Sequence, residues 1–210
     1  MRDIIIVGAS GHGREVLWLI REMINDGASY RVAGFVDDNP ALQGQEVVGV
    51  PVLGTLDDLE HQPEAALAMG IGLPTVKAKV MDRLRPFNRD WPPLIAPSAR
   101  MSPRVEVGEG VTVCAGAVVT TEVRLEAFSL INIGVTLSHD VRVGTYSMVA
   151  PGASLAGEVK VGALTSIGTG ASAIPRVTIG DGTTIGAGAV VIDDIPDGAT
   201  AVGVPARRVS

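Results

Sequence analysis

The sequence predicts two differently built parts, a small α/β unit of Rossmann-like type over residues 1–94 and a parallel β-helix over residues 95–210. Three observations predict this division. An apolar run, a glycine-rich loop and an amphipathic pattern open the chain, whereas large aliphatic residues recur at every sixth position from Ile95. Five of the seven aromatic residues lie before residue 95, so the apolar mass of the second part is aliphatic, which favours thin, evenly layered packing.

The elements of the first part alternate between strand and helix. A buried strand over residues 3–7 leads into the loop Gly8-Ala-Ser-Gly-His-Gly13, and an apolar face of period 3.6 then predicts a helix from Arg14 to Met23. The later elements are a strand over 30–36 that ends in Asp37-Asp38-Asn39, a strand over 65–71, and a helix over 74–84 with proline in its first turn. This order indicates a Rossmann-like unit.

The glycine loop has the spacing G-x-x-G-x-G, which differs from the G-x-G-x-x-G fingerprint of dinucleotide sites. A unit of this length also suits one nucleotide moiety better than a dinucleotide. We expect phosphates near the helix N-terminus and a base or ribose near the acidic end of the second strand. In the alternative interpretation the loop only packs the strand against the helix.

The second part is a six-residue repeat. Of its seventeen leading positions, from Ile95 to Val191, sixteen are large and aliphatic, the exception is Ala173, and no residue is inserted or deleted between them. A smaller or β-branched residue often follows four positions later. Each unit is a short strand and a tight turn, and three units close one triangular coil. The repeat predicts five to six coils, which form a prism about 25 Å tall at the inter-strand spacing of a sheet.

Composition excludes several classes of function. Seventeen Lys and Arg against 23 Asp and Glu give a net charge of −6, and no basic run exceeds two residues, which disfavours nucleic-acid binding. The lone Cys114 rules out an internal disulfide, and no Cys/His spacing suggests a metal. The longest apolar stretch, around residues 65–73, is too short for a bilayer, and the first residues lack signal-peptide anatomy. We therefore expect a cytoplasmic protein without a membrane partner.

The order of the glycine loop, Asp37-Asp38, the repeat and the tail Gly203-Val-Pro-Ala-Arg-Arg208 resembles one family over almost the whole chain. This is the hexapeptide-repeat sugar O-/N-acetyltransferase family, which includes the bacillosamine-pathway and perosamine N-acetyltransferases and sialic-acid O-acetyltransferase. The resemblance implies a left-handed β-helix that forms a homotrimer. It also implies acetyl-CoA in the groove between neighbouring β-helices, a nucleotide-linked sugar on the α/β unit, and no metal.

The candidate catalytic residue is His139. Of the three histidines it alone lies in the repeat, third in its unit, where side chains leave the prism, and Asp140 follows it. Imidazole titrates near neutrality, which suits removal of a proton from a sugar amine or hydroxyl that attacks a thioester. The resemblance implies that His139 is the general base, that Asp140 is its acidic partner, and that the N–H of Gly157 receives the oxyanion.

The resemblance also assigns the binding residues. Those expected around the nucleotide-linked sugar are Gly8, Ser10, Gly11, His12, Gly13, Asp37, Asp38 and Asn132. Those expected around acetyl-CoA are Met148, Gly157, Thr169, Ala187, Gly188, Arg207 and Arg208. Two departures from the family pattern are Met148, where some members have a histidine, and Ala96, where many members have one, so no role of those histidines carries over.

Three functions remain at this point. The favoured one is N-acetylation of a nucleotide-linked amino sugar, the second is O-acetylation of a sugar of the sialic-acid type, and the third is a non-catalytic nucleotide-binding scaffold trimer. A zinc hydro-lyase of the γ-carbonic anhydrase kind would need three histidine ligands, and the repeat contains one. The nucleotide base, the sugar and the acceptor atom are left open by the sequence.

Overall fold

The computed structural model describes residues 1–61 and 64–209. The first part contains a five-stranded sheet in the order β3-β4-β2-β1-β5, parallel except for the antiparallel pair β3 and β4. Its strands are β1 (Arg2–Val7), β2 (Tyr30–Val36), β3 (Glu46–Val47), β4 (Val50–Gly54) and β5 (Ala66–Met69). Its helices are α1 (Gly11–Asn25) and α2 (Pro74–Leu84). Short 3₁₀ turns lie at Pro40–Leu42, Asp57–His61 and Arg85–Phe87.

The sequence located β2 and α2 with their observed bounds, but it placed the start of α1 three residues late. The helix begins at Gly11, since the N–H of Arg14 already donates to the carbonyl oxygen of Ser10 at 3.1 Å, and Gly13 fits in its first turn because a Cβ there would overlap the carbonyl oxygen of Gly8. Close backbone approach of this kind leaves no trace in the apolar periodicity. The hairpin of β3 and β4 was missed, although Gly49 marks its turn with a positive φ.

The second part contains one two-residue strand in each repeat unit. These strands are β6 (Leu94–Ile95), β7 (Arg100–Met101), β8 (Glu106–Val107), β9 (Thr112–Val113), β10 (Val118–Val119), β11 (Arg124–Leu125), β12 (Leu130–Ile131), β13 (Thr136–Leu137), β14 (Arg142–Val143), β15 (Met148–Val149), β16 (Ser154–Leu155), β17 (Lys160–Val161), β18 (Ser166–Ile167), β19 (Ser172–Ala173), β20 (Thr178–Ile179), β21 (Thr184–Ile185) and β22 (Val190–Val191). Two further strands, β23 (Thr200–Val202) and β24 (Arg207–Arg208), end the chain.

Each repeat strand up to β19 pairs in parallel with the strand 18 residues further on, as Val118 does with Thr136. The result is three sheets, which are the faces of the prism. The first face runs from β6 through β9, β12, β15, β18 and β21 to the terminal strands, the second from β7 to β22, and the third from β8 to β20. The second residue of each strand points inward, and these aliphatic side chains form the core. The predicted left-handed β-helix is confirmed.

The corners between the faces carry the third and fourth residues of each unit. The first corner, between the first and second faces, includes Thr169 and Ala187; the second corner, between the second and third faces, includes His139 and Gly157; the third corner includes Phe128 and Tyr146. The regular coil ends after Val191, because Thr184 pairs with Thr200 across 16 residues instead of 18.

The α/β unit packs on the first face of the prism. The outward residues of the first three strands of this face are buried: Leu94, Thr112 and Leu130. Leu94 and Leu130 belong to the same apolar cluster as the buried face of α1. From α2, the buried Lys77 donates a hydrogen bond from Nζ to the carbonyl oxygen of Phe128 at 2.7 Å. Neither helix of the described chain has the length and apolar character that crossing a membrane requires.

Candidate active site

The second corner presents a histidine and a carboxylate in direct contact. Nδ1 of His139 lies 2.8 Å from Oδ2 of Asp140, and both side chains are more than half exposed, at 57% and 55%. Asp140 occupies the turn position that requires a positive φ, here +60°. With Nδ1 held by the carboxylate, Nε2 is the ring nitrogen left to meet a substrate.

Gly157 follows His139 by one coil at the same corner. A Cβ on residue 157 would lie 2.5 Å from Cε1 of His139 and nearer still to Nε2, so the imidazole ring rests directly on this glycine. The N–H of Glu158 donates to the carbonyl oxygen of His139 at 2.9 Å and ties the two coils together. Within the described chain the N–H of Gly157 donates to no other group, which leaves it available to a ligand.

The turn positions of the first corner lack side chains over most of its length. Its turn positions are filled in five successive coils by glycine with φ between +65° and +69°, and a Cβ on any of them would meet no atom within 4 Å: Gly116, Gly134, Gly152, Gly170 and Gly188. Thr169 and Ala187 lie beside this column, and the N–H of Gly188 donates to the carbonyl of Thr169 at 2.8 Å. Asn132 enters the same corner, where its Oδ1 accepts from the N–H of Ile133 at 2.7 Å.

A cavity of about 510 Å³ lies between the α/β unit and the first face. Its polar lining comes from five of the residues expected around the nucleotide-linked sugar, namely Gly8, Ser10, His12, Asp37 and Asp38. Gly11 and Gly13 form the adjoining first turn of α1. The cavity therefore lies at the carboxyl ends of β1 and β2, the usual ligand position in a parallel sheet. A larger depression of about 670 Å³ lies at the other end of the sheet, against Met1 and His61.

The charged residues of the cavity are already engaged by the protein. Oδ2 of Asp37 accepts from the N–H of Ala9 at 2.8 Å and Oδ1 from that of Asn39 at 2.9 Å, so this carboxylate holds the glycine loop. Asp38 pairs with Arg83, whose pKa is raised by its hydrogen bonds to Asp57 and to Asp38.

His12 contacts Glu15 at 3.0 Å; burial lowers the pKa of His12, and Glu15 opposes the shift. No three His, Cys, Asp or Glu side chains of residues 1–61 and 64–209 converge as a metal site would require.

Two groups of expected acetyl-CoA contacts are placed apart from the first corner. Met148 lies in the wall of the cavity, beside the α/β unit, because it is the outward residue of β15 on the covered first face. Arg207 and Arg208 form β24 at the last coil, where Nη1 of Arg207 lies 3.4 Å from Oδ2 of Asp193.

Within one chain, His139 and the cavity lie on opposite sides of the prism. The second corner joins the second and third faces, whereas the cavity lies at the first face, against Met148. The residue spacing agrees with this separation. Met148, in the cavity wall, follows His139 by nine residues, which is half of an 18-residue coil. The sequence analysis missed this separation, although counting positions within the 18-residue coil would have found it.

Comparison with known proteins extends over both parts. Residues 3–84 match the family model of the PglD N-terminal domain. UDP-N-acetylbacillosamine N-acetyltransferase of Bacillus subtilis is 35% identical over 117 residues, which cover 55% of this chain and 52% of that relative. The matched segment thus spans about half the length of the curated relative.

Solved structures match the whole chain. Perosamine N-acetyltransferase of Caulobacter crescentus, as a mutant in complex with CoA and GDP-perosamine, is 35% identical with a TM-score of 0.91 over 100% of this chain and 98% of its own. The acetyltransferase domain of PglB from Neisseria gonorrhoeae is 34% identical with a TM-score of 0.91 over the full length of both chains. The chain therefore belongs to the family of bacillosamine and perosamine N-acetyltransferases, as its sequence resemblance implied.

Proposed function

We propose that this protein transfers the acetyl group of acetyl-CoA to the amine of a nucleotide-linked amino sugar, with His139 as the general base. The observation that carries the proposal is the contact between Nδ1 of His139 and Asp140 at an outward corner of the prism. Solved relatives support it: perosamine N-acetyltransferase was crystallised with CoA and GDP-perosamine, also in variants with a histidine replaced by asparagine or alanine. The PglB domain was crystallised with acetyl coenzyme A.

The reaction follows from the two ring nitrogens. Asp140 accepts a hydrogen bond from the Nδ1–H tautomer, so Nε2 carries the lone pair. As the sugar nitrogen attacks the thioester carbonyl, a C–N bond forms and Nε2 takes the proton of the nitrogen. The oxyanion of the tetrahedral intermediate is received by the N–H of Gly157. When the intermediate collapses, the C–S bond breaks and the imidazolium returns the proton to the CoA thiolate.

We place the acceptor and the donor at different parts of the prism. The nucleotide-linked sugar occupies the cavity of Gly8, Ser10 and His12, and Met148 belongs to this acceptor site instead of the donor site. Asp37 and Asp38 shape the cavity through the loops that they hold. The pantetheine arm follows the open first corner beside the residues expected there, and the basic tail is near the last coil: Thr169, Ala187, Gly188, Arg207 and Arg208.

We infer that three copies assemble with their second faces towards a common axis. The first face is covered by the α/β unit, and the outward residues of the third face are charged over four coils: Glu106, Arg124, Arg142 and Lys160. The outward residues of the second face beyond its first strand are small or aliphatic: Val118, Thr136, Ser154, Ser172 and Val190. Cyclic assembly around this face places the second corner of one chain against the first corner of the next.

This trimer resolves the separation seen within one chain. His139 cannot reach the cavity of its own chain through the core of the prism, but in the trimer it faces the first corner and cavity of a neighbour. Asn132, at the first corner, then lies opposite the neighbour's histidine. Each active site therefore needs two chains. If the mass in solution were that of a monomer and this monomer were fully active, the proposed shared site would be wrong.

The activity itself is tested by release of the CoA thiol with UDP-, GDP-, dTDP- and CMP-linked amino sugars, after a thermal-shift screen for the nucleotide that binds. We expect release with an amino sugar and little with the corresponding hydroxyl sugar. Release with the hydroxyl sugar alone would favour the O-acetyltransferase alternative, and release with none would overturn the proposal.

Subunit complementation tests the shared site. His139→Ala removes the base, and Val76→Trp fills the cavity, which Val76 lines from α2. Each variant alone should be inactive, whereas co-expression at equal levels should restore about a quarter of the sites, those pairing an intact cavity with a neighbour's intact histidine. Mixed trimers no more active than either parent would show that each chain uses its own His139.

A further inference from the structure

The glycine beneath the catalytic histidine has no explanation in the backbone. The third residue of each repeat unit is a corner residue, and among the seventeen such positions from Pro97 to Asp193 only residue 157 is glycine. The others include alanine, threonine, proline, aspartate and isoleucine, so the coil tolerates side chains here. Gly157 also lies outside the left-handed region of φ that favours glycine, unlike the fourth-position glycines of the first corner.

The explanation lies in the coil before it. Residue 157 follows His139 by one coil at the second corner, and a Cβ there would lie 2.5 Å from Cε1 of the imidazole. Ordinary contact begins at about 3.4 Å, so any side chain would displace the ring by about 1 Å. Asp140 holds the ring through Nδ1, so a rotation of the ring away from residue 157 would break this contact.

We propose that Gly157 is a positioning residue for His139, whose bare Cα supports the imidazole ring and sets the direction of Nε2. This inference rests on the proposed function of His139 and adds a steric role to the expected N–H donor role of Gly157. The two roles are separable, because an alanine at 157 keeps the N–H but adds the Cβ.

The steric role makes a specific kinetic prediction. A displacement of about 1 Å in a reacting group can cost on the order of 10²-fold in rate. Gly157→Ala should therefore lower kcat by about this factor and leave the KM values of acetyl-CoA and acceptor nearly unchanged. Thermal stability should also stay unchanged, since alanine already occupies corner positions 115, 127, 163 and 187.

The test is a double-mutant cycle of Gly157→Ala with His139→Ala, with kcat, both KM values and melting temperature measured for all four proteins. We expect Gly157→Ala to lower kcat about 10²-fold beside the histidine and to have no further effect without it, because the ring that it displaces is gone. Thr121→Ala, one coil before His139 at the same corner, is the control and should keep the wild-type kcat.

The outcomes separate this inference from the proposed function. Full activity of Gly157→Ala would overturn the steric role, as would an equal loss of kcat in both backgrounds. A drop in melting temperature in both backgrounds would show that the coil itself needs glycine at 157, which also overturns it. Retained activity in His139→Ala alone would instead overturn the role of His139 as base.

Discussion

The first and second corners of the prism share one backbone conformation but fill it with different residues. At the turn position of the first corner, five successive coils have glycine, from Gly116 to Gly188, with φ between +65° and +69°. At the second corner, four successive coils have charged residues with φ between +57° and +70°: Glu122, Asp140, Glu158 and Arg176. A non-glycine residue in this region costs about 1–2 kcal/mol, so the second corner retains charge at a cost that the first corner avoids.

The difference indicates which corner leaves room for a ligand. Strain of this kind is shared by the third corner, where Phe128, Tyr146 and Leu164 also have a positive φ, so the second corner is distinguished by the contact of Asp140 with the candidate base. Its two like-charged neighbours are each paired with an arginine at the same corner, Glu122 with Arg104 and Glu158 with Arg176. Asp140 is thus the carboxylate of this column that contacts His139.

The largest effect should come from the base of the second corner. His139→Ala should lower kcat by about 10²–10⁴, the usual contribution of a positioned base. Its melting temperature should stay at the wild-type value, because the half-exposed side chain adds no core volume. Steady-state kinetics and thermal unfolding check both parts; a variant that keeps more than about a third of kcat would mean that another group takes the proton.

The next effect should come from closing the open first corner. Gly170→Leu places a side chain where none now stands, and we expect the KM of acetyl-CoA to rise about tenfold or more, which corresponds to about 1.4 kcal/mol of binding. Gly182→Leu is a matched control at the third corner, with a similar φ of +62° and equally open space. Both changes should cost similar stability, so a raised KM in both variants would break the assignment of the donor to the first corner.

A smaller effect should separate strain from chemistry at the second corner. Asp140→Gly removes a side chain from a left-handed position and should raise the free energy of unfolding by about 1 kcal/mol. It should also lower kcat, by less than His139→Ala does, because the imidazole loses its orienting partner. Glu122→Gly relieves the same strain one coil earlier, so it should gain stability and keep kcat. Chemical denaturation measures the stability of both variants, and steady-state kinetics measure their kcat. Equal kcat values for Asp140→Gly and Glu122→Gly would show that Asp140 has no role in the mechanism.

The two parts of the chain differ in how much the sequence predicted. In the β-helix each residue has its face fixed by its place in the 18-residue coil, so the strands, the core and the outward direction of His139 followed from counting. In the α/β unit the contacts depend on tertiary approach. The engagement of Asp37 by Ala9 and Asn39, the start of α1 at Gly11 and the burial of Lys77 have no periodic signal.

The last expected effect, at the third corner, concerns stability alone. At the turn position of this corner Phe128 has a φ of +57°. The carbonyl oxygen of Phe128 accepts a hydrogen bond from Nζ of Lys77 in α2. Burial lowers the pKa of Lys77 from 10.5 to about 7. Between these values the unfolded chain carries a proton that the folded chain lacks, so the free energy of unfolding should rise as pH increases above 7.

Lys77→Met should remove this rise, because methionine has no titratable group. The unpaired Phe128 carbonyl that it leaves should cost about 1–3 kcal/mol independently of pH. Urea unfolding between pH 7 and 8.5 measures this difference. The free energy of unfolding of the wild type should rise relative to that of Lys77→Met by at most about 1.4 kcal/mol per pH unit. The comparison with Lys77→Met cancels the titrations of His12 and Cys114, which both proteins share: burial lowers the pKa of His12, and burial raises the pKa of the Cys114 thiol to about 12. Lys79→Met, at an exposed position of the same helix, should follow the wild type. Parallel curves for wild type and Lys77→Met would show that Lys77 stays protonated in the fold, with the junction at the third corner then held by a buried charge.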